Sequence, residues 1–287
     1  MKVSSSLILF VAAIAASGFA QQERDPFKRP FPAFRIVGNL YYVGGYDLAS
    51  YLIATPEGNI LINTGLAETV PELRANIEAA GFNLSDTKIL AFTHAHWDHV
   101  AGMAEMKHLT GARLIATAAD AALIASGGKT DFRFGADRSA WFEPVEADEK
   151  LKDAGKISLG GTVLTVHLHP GHTRGAASFT FDVADSGRTY HVLIANMPSI
   201  NPGVVLRGNP KYPEIAADYA RTFRAMKAIT PEIWLASHAG QFHLHEKYKP
   251  GDPYRPERFI DPAGYRAALD ELEREYLRQV GANEPRP

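Results

Sequence analysis

The chain has 287 residues, 46% of them hydrophobic and 22% charged, which is the composition of a globular protein rather than of a disordered or fibrous one. Its 30 Lys and Arg are matched by 32 Asp and Glu, so the formal net charge is −2 and nucleic acid is not an expected partner. Because the sequence has no cysteine, disulfides, thiolate metal ligands and cysteine nucleophiles are excluded, and any metal ion must be bound by His and carboxylate.

The first 20 residues predict a secretory signal peptide. One Lys precedes an apolar run, and the small residues Gly18 and Ala20 stand where a signal peptidase would cut. An uncleaved membrane anchor is the alternative, but the apolar run at 7–16 is short for a hydrocarbon layer about 30 Å thick. We therefore expect residues 1–20 to be removed and residues 21–287 to form a single periplasmic domain without a membrane anchor.

From about residue 30 onward, the hydrophobic pattern predicts strands mixed with helices, without a linker or a repeat that would mark a second domain. Strands are predicted over 34–44 and 51–63, the latter broken by a turn at 56–59, and a helix over 69–80 ends at Gly81. Further strands are predicted over 88–93, 162–169, 177–183, 189–194 and 232–236, and further helices over 100–109, 215–228 and 262–280.

The stretch at 126–148 has no regular pattern and begins with the sequence Ser-Gly-Gly, which favours a loop. It contains Phe132, Phe134 and Trp141, which are candidates to line a pocket.

Six side chains of the types that bind zinc follow predicted strands. Four of them stand within six residues just past the strand at 88–93, and two lie further along the chain. They are His94, His96, Asp98, His99, His172 and His238. Neutral imidazole binds zinc at about 2.0–2.1 Å, and a carboxylate can complete a site that keeps one position for water. A His-rich surface turn is the alternative, but it does not explain the two distant His at strand ends. The pattern therefore predicts a metal site on loops that follow strands.

Other histidines near these positions are interpreted as structural residues or as supports for the ligands. Some alternate along predicted strands, and others lie in a polar stretch after the last strand. They are His108, His167, His169, His191, His243 and His245.

The string His-x-His-x-Asp-His at 94–99, with Gly-His-Thr at 171–173 and the isolated His238, resembles the metal signature of the metallo-β-lactamase superfamily. The resemblance extends from about residue 34 to about residue 265. It implies an α/β fold, the four-layer αβ/βα sandwich, in which two sheets pack face to face between helices and the metal ions lie at one edge of the sheets.

Within the superfamily, the chain is most similar to the third subclass of the class B β-lactamases, which binds two zinc ions. In that subclass three His hold the first ion, and one Asp with two His holds the second. Carried over to this chain, the first set is His94, His96 and His172, and the second is Asp98, His99 and His238. The subclass also implies a catalytic role for Asp98, which would orient the attacking hydroxide.

The segment at 194–203 resembles the substrate loop of the same subclass. Ser199, with Asn201 as a further candidate, is then predicted to bind the carboxylate of the substrate, although a solvated loop residue is the alternative for each. The implied activity is hydrolysis of the β-lactam amide bond of penicillins, cephalosporins and carbapenems by a hydroxide activated on zinc. The implied partner is this small-molecule substrate, and a monomer is expected.

Two alternatives remain open from the sequence. Lactone or thioester hydrolases of the glyoxalase II kind and iron-dependent persulfide dioxygenases share most of the His pattern, but the binuclear hydrolases carry a bridging Asp where this chain has Asn196. A periplasmic zinc-binding protein without turnover would also use many His.

Overall fold

The structure is a computed structural model that describes residues 25–282. The predicted signal peptide at 1–20 lies outside the described residues. Within 25–282, no helix combines the length and the apolar composition that crossing a bilayer requires.

The larger of two sheets has seven strands. They are β1 Phe34–Val37, β2 Leu40–Tyr42, β3 Tyr51–Thr55, β4 Gly58–Ile62, β5 Thr87–Ala91, β6 Arg113–Thr117 and β7 Glu149–Leu151. The strands follow one another in chain order across the sheet. The pairs from β1 to β4 are antiparallel, and the pairs from β4 to β7 are parallel. Parallel neighbours need long crossover connections, and all three of these connections contain helices.

The second sheet has five strands. They are β8 Lys156–Leu159, β9 Thr162–Leu168, β10 Ala177–Asp185, β11 Arg188–Ala195 and β12 Ile233–Ala236. Their order across the sheet is β12, β11, β10, β9, β8. Only β11 and β12 pair in parallel among these strands, because a helix carries the chain from the end of one to the start of the other.

The helices lie on the outer faces of the two sheets. They are α1 Val70–Ala79, α2 Trp97–Val100, α3 Met103–Thr110, α4 Ala118–Ala125, α5 Ile215–Ala228, α6 Leu244–Lys247 and α7 Pro262–Ala282. In α1 the buried apolar residues Val70, Leu73 and Ile77 recur at helical spacing, so one face of the helix packs on the larger sheet. Helix α7 contacts β12 of the second sheet, where Tyr265 and Trp234 approach to 5.7 Å between ring centroids.

The core is divided by the alternation of side chains along the strands. In β4, Ile62 packs between the sheets with Phe179 and Val192, whereas its neighbour Leu61 belongs to the cluster under α1 and α3. Burial of one such side chain contributes about 1.5–3 kcal/mol. A third cluster, which includes Phe223, joins α5 to α7. The layers are therefore helix, sheet, sheet and helix, and the predicted four-layer αβ/βα sandwich is confirmed.

The helix predicted at 100–109 begins earlier and is interrupted. Helix α2 already contains Asp98 and His99, so these two candidates lie on a helical turn rather than on a loop. At Gly102 the backbone N–H donates to the carbonyl of Gly65, and a Cβ there would lie 2.6 Å from the side chain of Val70. This close approach of two segments separates α2 from α3.

Candidate metal centre

The six predicted ligands lie together, each just beyond the C-terminal end of β5, β9 or β12. The ring of His94 lies in the middle of a group of four imidazoles. Its centroid is 4.8 Å from that of His96, 4.5 Å from that of His172 and 4.4 Å from that of His99. The rings of His96 and His172 are also 4.8 Å apart. All four rings are buried.

Asp98 joins the remaining candidates. Its Oδ2 atom lies 3.3 Å from His99 Nε2 and 3.5 Å from His238 Nε2. The rings of His99 and His238 are 4.8 Å apart. The structure therefore brings all six predicted side chains into one cluster, although they come from three separate parts of the chain.

The cluster fits metal ions. Among the described residues, two groups of three side chains have ligand atoms within 4.8 Å of one another: His94, His96 and His172, and His94, Asp98 and His99. Neither buried ring nitrogen of His99 has a hydrogen-bond partner among the described residues, although Nε2 lies 3.3 Å from the carboxylate of Asp98. Such an atom costs about 1–3 kcal/mol when it stays unsatisfied, and a bound cation would satisfy one of the two. Imidazole with carboxylate is a donor set that suits zinc.

The second group differs in one respect from the prediction. The prediction combined Asp98 and His99 with His238, whereas the tight group in the structure includes His94 instead. His238 reaches this group through its contact with Asp98. The assignment of each side chain to a particular ion therefore stays a prediction.

Burial keeps two imidazoles of the first group, those of His94 and His172, in the neutral form. Burial, and then the neighbouring His99, lowers the pKa of His94 well below its usual value. Burial, and then His96, lowers the pKa of His172 to about 3. Neutral imidazole is the form that binds a metal ion, so these side chains need not release a proton first.

His238, which reaches the second group through Asp98, lies between two carboxylates. Burial lowers the pKa of His238, but hydrogen bonds to Asp47 and Asp98 outweigh burial and raise it to about 9. Burial also raises the pKa of Asp98, but His99 and the hydrogen bond with His238 outweigh that effect and hold it well below its usual value. The Oδ2 atom of Asp47 lies 2.8 Å from His238 Nδ1. These charges favour a positive charge beside His238, whether a proton or a metal ion.

Asp120, which the sequence reasoning missed, connects two of the ligand-bearing loops. It is fully buried, and it accepts hydrogen bonds from the N–H of Ala95 at 2.9 Å, the hydroxyl of Thr173 at 2.8 Å and the N–H of Gly175 at 2.9 Å. It lies in the first turn of a helix that follows β6, and because the sequence analysis predicted neither element, nothing in the sequence marked this acid. Asp47 gave no signal either, because 191 positions separate it from its partner His238.

The position of His94 depends on Asn63 and Thr93. Asn63 has a φ of 63°, a left-handed conformation that Asn adopts more readily than most residues. Its Oδ1 atom accepts the N–H of Thr93 at 3.0 Å, and its amide donates to the carbonyl of Ala49 at 3.2 Å. The Thr93 hydroxyl lies 3.4 Å from His94 Nδ1. The ends of β4 and β5 are thereby held in register beneath the cluster.

Ser199 lies beside His172. Its backbone carbonyl accepts hydrogen bonds from His172 Nδ1 and from the Tyr219 hydroxyl, both at 2.8 Å, and its Oγ atom lies 3.4 Å from the same Nδ1. Because a carbonyl only accepts, His172 Nδ1 carries the proton and Nε2 is left for a metal ion. Gly171 has a φ of 136°, and a Cβ there would lie 2.9 Å from the Tyr219 ring, so the close packing requires glycine.

Asn201, the other predicted substrate contact, is partly buried in the same loop. Its backbone carbonyl accepts the N–H of Val204 at 3.1 Å, which closes a turn. The role of its side chain stays a prediction.

The loop at 126–148 borders the cluster. Its only regular element within this fully described stretch is a short 3₁₀ turn, as the sequence predicted. Of the three aromatic pocket candidates, Phe134 contacts a predicted ligand, at 5.1 Å from the His96 ring, and also lies 5.0 Å from Trp97. Phe132 packs instead on Tyr212, and Trp141 lies at the surface.

The corner after β11 carries Asn196, as the sequence shows. This residue is buried, its backbone N–H donates to the Ser178 hydroxyl at 2.9 Å, and its side-chain nitrogen has no hydrogen-bond partner. A neutral amide thus stands where the binuclear hydrolases would place a bridging carboxylate. His169 shares Ser178 as a partner at 2.7 Å and belongs to neither metal group of the described residues; its structural interpretation stays a prediction.

Comparison with solved structures gives matches over nearly the whole chain. A class B3 di-zinc metallo-β-lactamase from an Alaskan soil metagenome is 49% identical, with a TM-score of 0.87 over 90% of this chain and 97% of that chain. The metallo-β-lactamase of Elizabethkingia meningoseptica is 44% identical, with a TM-score of 0.88 over 98% and 100%. That of Legionella gormanii is 43% identical, with a TM-score of 0.87 over 90% and 98%.

Curated relatives are more distant. A hydroxyacylglutathione hydrolase of Acidiphilium cryptum is 29% identical over 209 residues, which is 72% of this chain and 68% of that protein. One from Bradyrhizobium sp. is also 29% identical, over 47% of this chain and 44% of that protein, so the chain spans less than half of its length. The superfamily profile itself matches residues 44–185. With these identities over nearly the full length of solved relatives, the chain belongs to the metallo-β-lactamase superfamily, and its resemblance to the third subclass of class B is confirmed.

Proposed function

We propose that this protein is a zinc-dependent β-lactamase that hydrolyses the amide bond of penicillins, cephalosporins and carbapenems. The observation that carries the proposal is the single cluster of five His and one Asp, all buried except the partly buried His238, in a chain that is 49% identical to a class B3 di-zinc metallo-β-lactamase. A lactone or thioester hydrolase is the alternative. It is disfavoured by the lower identity of the hydroxyacylglutathione hydrolases and by the amide of Asn196 at the corner after β11.

The six side chains would hold two zinc ions. The first set is His94, His96 and His172, and the second is Asp98, His99 and His238. When bound, zinc lowers the pKa of water toward about 7 and polarises a carbonyl group, which supplies a nucleophile and an electrophile at neutral pH.

Asp98 has two functions in this proposal. Its Oδ2 atom faces the imidazoles of His99 and His238 and serves as a ligand. Its Oδ1 atom is buried and without a hydrogen-bond partner, so it can accept a hydrogen from the attacking water and orient it. The carboxylate is ionised at neutral pH, because its surroundings hold its pKa well below the usual value.

Ser199 and Asn201 would bind the substrate carboxylate. The contact of Ser199 with His172 places its hydroxyl next to the first set of ligands, and the Tyr219 hydroxyl fixes its backbone. A hydrogen bond to a charged group contributes about 1.5–3 kcal/mol. Phe134, packed against Trp97, provides an apolar wall that excludes water from one side of the bound substrate.

The cellular setting is part of the proposal. The Lys and the apolar run at the start of the chain support export, removal of residues 1–20, and action of residues 21–287 as a single-domain monomer in the periplasm. The β-lactam antibiotics act outside the cytoplasmic membrane, so an exported enzyme would meet its substrate there. Mass determination of the protein recovered from a periplasmic extract tests the cleavage, and light scattering tests the monomer.

The function is tested with purified residues 21–287, by following imipenem and nitrocefin hydrolysis from their absorbance. We expect turnover by the zinc-loaded protein, loss of turnover with a chelator and recovery when zinc is restored. A zinc-loaded, folded sample that leaves both compounds intact while cleaving a thioester or a lactone would establish the alternative hydrolase instead.

A further inference from the structure

Asp131 holds a tight turn in the loop at 126–148. One of its carboxylate oxygens, Oδ1, accepts the backbone N–H of Arg133 at 2.8 Å and that of Phe134 at 2.7 Å. The residue is buried although it is an acid, with a relative exposure of 8%. Burial of a carboxylate is costly unless each oxygen has a compensating partner, so the second oxygen, Oδ2, also needs a partner.

The second oxygen faces a predicted zinc ligand. Asp131 Oδ2 lies 3.5 Å from Nε2 of His96, and this buried nitrogen has no hydrogen-bond partner within residues 25–282. The two nitrogens of an imidazole point in different directions. With Nε2 directed at Asp131, the nitrogen that remains for the cluster of His94 and His172 is Nδ1.

The same turn also contacts the surroundings of the substrate. Arg133 donates through Nε to the carbonyl of Pro202 at 2.8 Å, which connects the turn to the predicted substrate loop. The ring of Phe134 lies 5.1 Å from that of His96. A single carboxylate therefore supports a zinc ligand, an aromatic wall and a contact to the substrate loop.

We propose that Asp131 is a positioning residue that accepts the Nε2–H of His96, directs Nδ1 of that ring to the first zinc ion and couples zinc binding to the shape of the 126–148 loop. A carboxylate behind a metal-bound imidazole fixes the tautomer and makes the ligand more basic. Since coupling between two sites is reciprocal, loss of Asp131 weakens zinc binding, and removal of zinc loosens the turn around Phe134. The inference rests on the proposed function, because it requires a metal ion at His96.

The chain offers a matched control in Asp137, six positions further along the same loop. Its Oδ1 atom accepts the N–H of Ser139 at 2.9 Å and its hydroxyl at 2.6 Å, so it also holds a turn. Asp137, however, is exposed, and its contacts contain no imidazole. Replacement of Asp137 thus disturbs the same loop without affecting a zinc ligand.

The experiment compares Asp131→Asn and Asp137→Asn in zinc-loaded protein by competition with a chromophoric chelator. In the Asn amide only the oxygen can accept a hydrogen bond, because the nitrogen is a donor. Asp131→Asn therefore loses either the hydrogen bonds of the turn or the contact with His96. We expect roughly 10- to 100-fold weaker binding of one of the two zinc ions in this variant and wild-type affinity in Asp137→Asn. Equal zinc affinity in the wild type and both variants would overturn the inference while leaving the proposed function intact.

A second measurement does not depend on how well the variants fold. Nuclear magnetic resonance of the ring nitrogens in zinc-loaded wild type should show a proton on His96 Nε2 and metal coordination at Nδ1. The opposite arrangement would overturn the inference even if β-lactam hydrolysis is present. A folded wild type that binds no zinc would overturn both this inference and the proposed function.

Discussion

The two predicted ligand sets are stabilised in different ways; His94, His96 and His172 are called the first half of the cluster, and Asp98, His99 and His238 the second half. In the first half, the His94 and His172 rings contact uncharged groups, the hydroxyl of Thr93 and the backbone carbonyl of Ser199, and a single carboxylate, that of Asp131, faces His96. In the second half, His238 lies between two carboxylates, those of Asp47 and Asp98. Burial drives the pKa of His172 down to about 3, whereas the carboxylates raise that of His238 to about 9.

This difference indicates how each half attracts a cation. The first half offers three buried imidazoles in a preorganised arrangement, so its affinity depends mainly on geometry and on the number of ligands. The second half has a local negative charge, so its affinity depends on Coulombic attraction and on proton displacement. The four substitutions below test this distinction, from the largest expected effect to the smallest.

His94→Ala should have the largest effect, because this ring belongs to both groups of three ligand atoms. We expect loss of zinc from the first half and a fall in β-lactam hydrolysis of roughly 10³-fold, which corresponds to the several kcal/mol that a metal ion supplies to a transition state. Zinc content and initial rates of imipenem hydrolysis measure the result. Circular dichroism of the variant confirms that it is folded. Full zinc content with an unchanged rate of hydrolysis would show that His94 is not a zinc ligand.

Asp98→Asn keeps the size of the side chain but removes the charge from the second half. We expect the zinc content to fall from two ions to about one, with the ion on the three imidazoles retained, and the rate to fall by roughly 10²-fold. Metal analysis after dialysis, together with the rate, distinguishes the halves. Loss of both ions in this variant would show that the halves do not bind independently.

Asp47→Asn tests the carboxylate behind His238, with Asp182→Asn as a matched control. Both acids lie 2.8 Å from Nδ1 of a His, but the partner of Asp182 is His191, outside the cluster. We expect roughly 10- to 100-fold weaker zinc binding at the second half in Asp47→Asn and no change in Asp182→Asn. Chelator competition measures both affinities. Similar effects in the two variants would contradict a specific role for Asp47.

Ser199→Ala should have the smallest effect, because it removes a substrate contact and leaves the metal ligands in place. We expect the KM for imipenem to rise about tenfold while kcat stays nearly constant, as when binding is lost equally from the ground state and the transition state. The backbone carbonyl that holds His172 is retained, so zinc content should not change. A fall in kcat at constant KM would assign Ser199 to the chemical step instead.

The sequence predicted most of the fold and all members of the cluster, because both depend on patterns that are local in the chain. The helix at 215–228 and the strand ends before His94 and His238 were recognisable from apolar periodicity and from the ligand-type residues that follow. The strands β6, β7 and β8 were missed, because their apolar runs are short and their assignment depends on neighbours that the sequence does not reveal.

The residues that support the ligands could not be predicted for a similar reason. Asp47, Asp120 and Asp131 are ordinary acids in the sequence, and each obtains its role from a partner that only folding brings close. Asp131 follows the Gly-Gly pair of an irregular loop, where an acid is usual at a turn. Its burial and its contact with His96 were visible only in three dimensions.

The most direct test of the central claim is anomalous X-ray diffraction at the zinc absorption edge from crystals of the zinc-loaded protein. We predict two anomalous peaks in the cluster, one bound by His94, His96 and His172 and the other by Asp98, His99 and His238. A zinc-loaded crystal with no peak at these side chains would contradict both the proposed ligands and the zinc-dependent chemistry that they support.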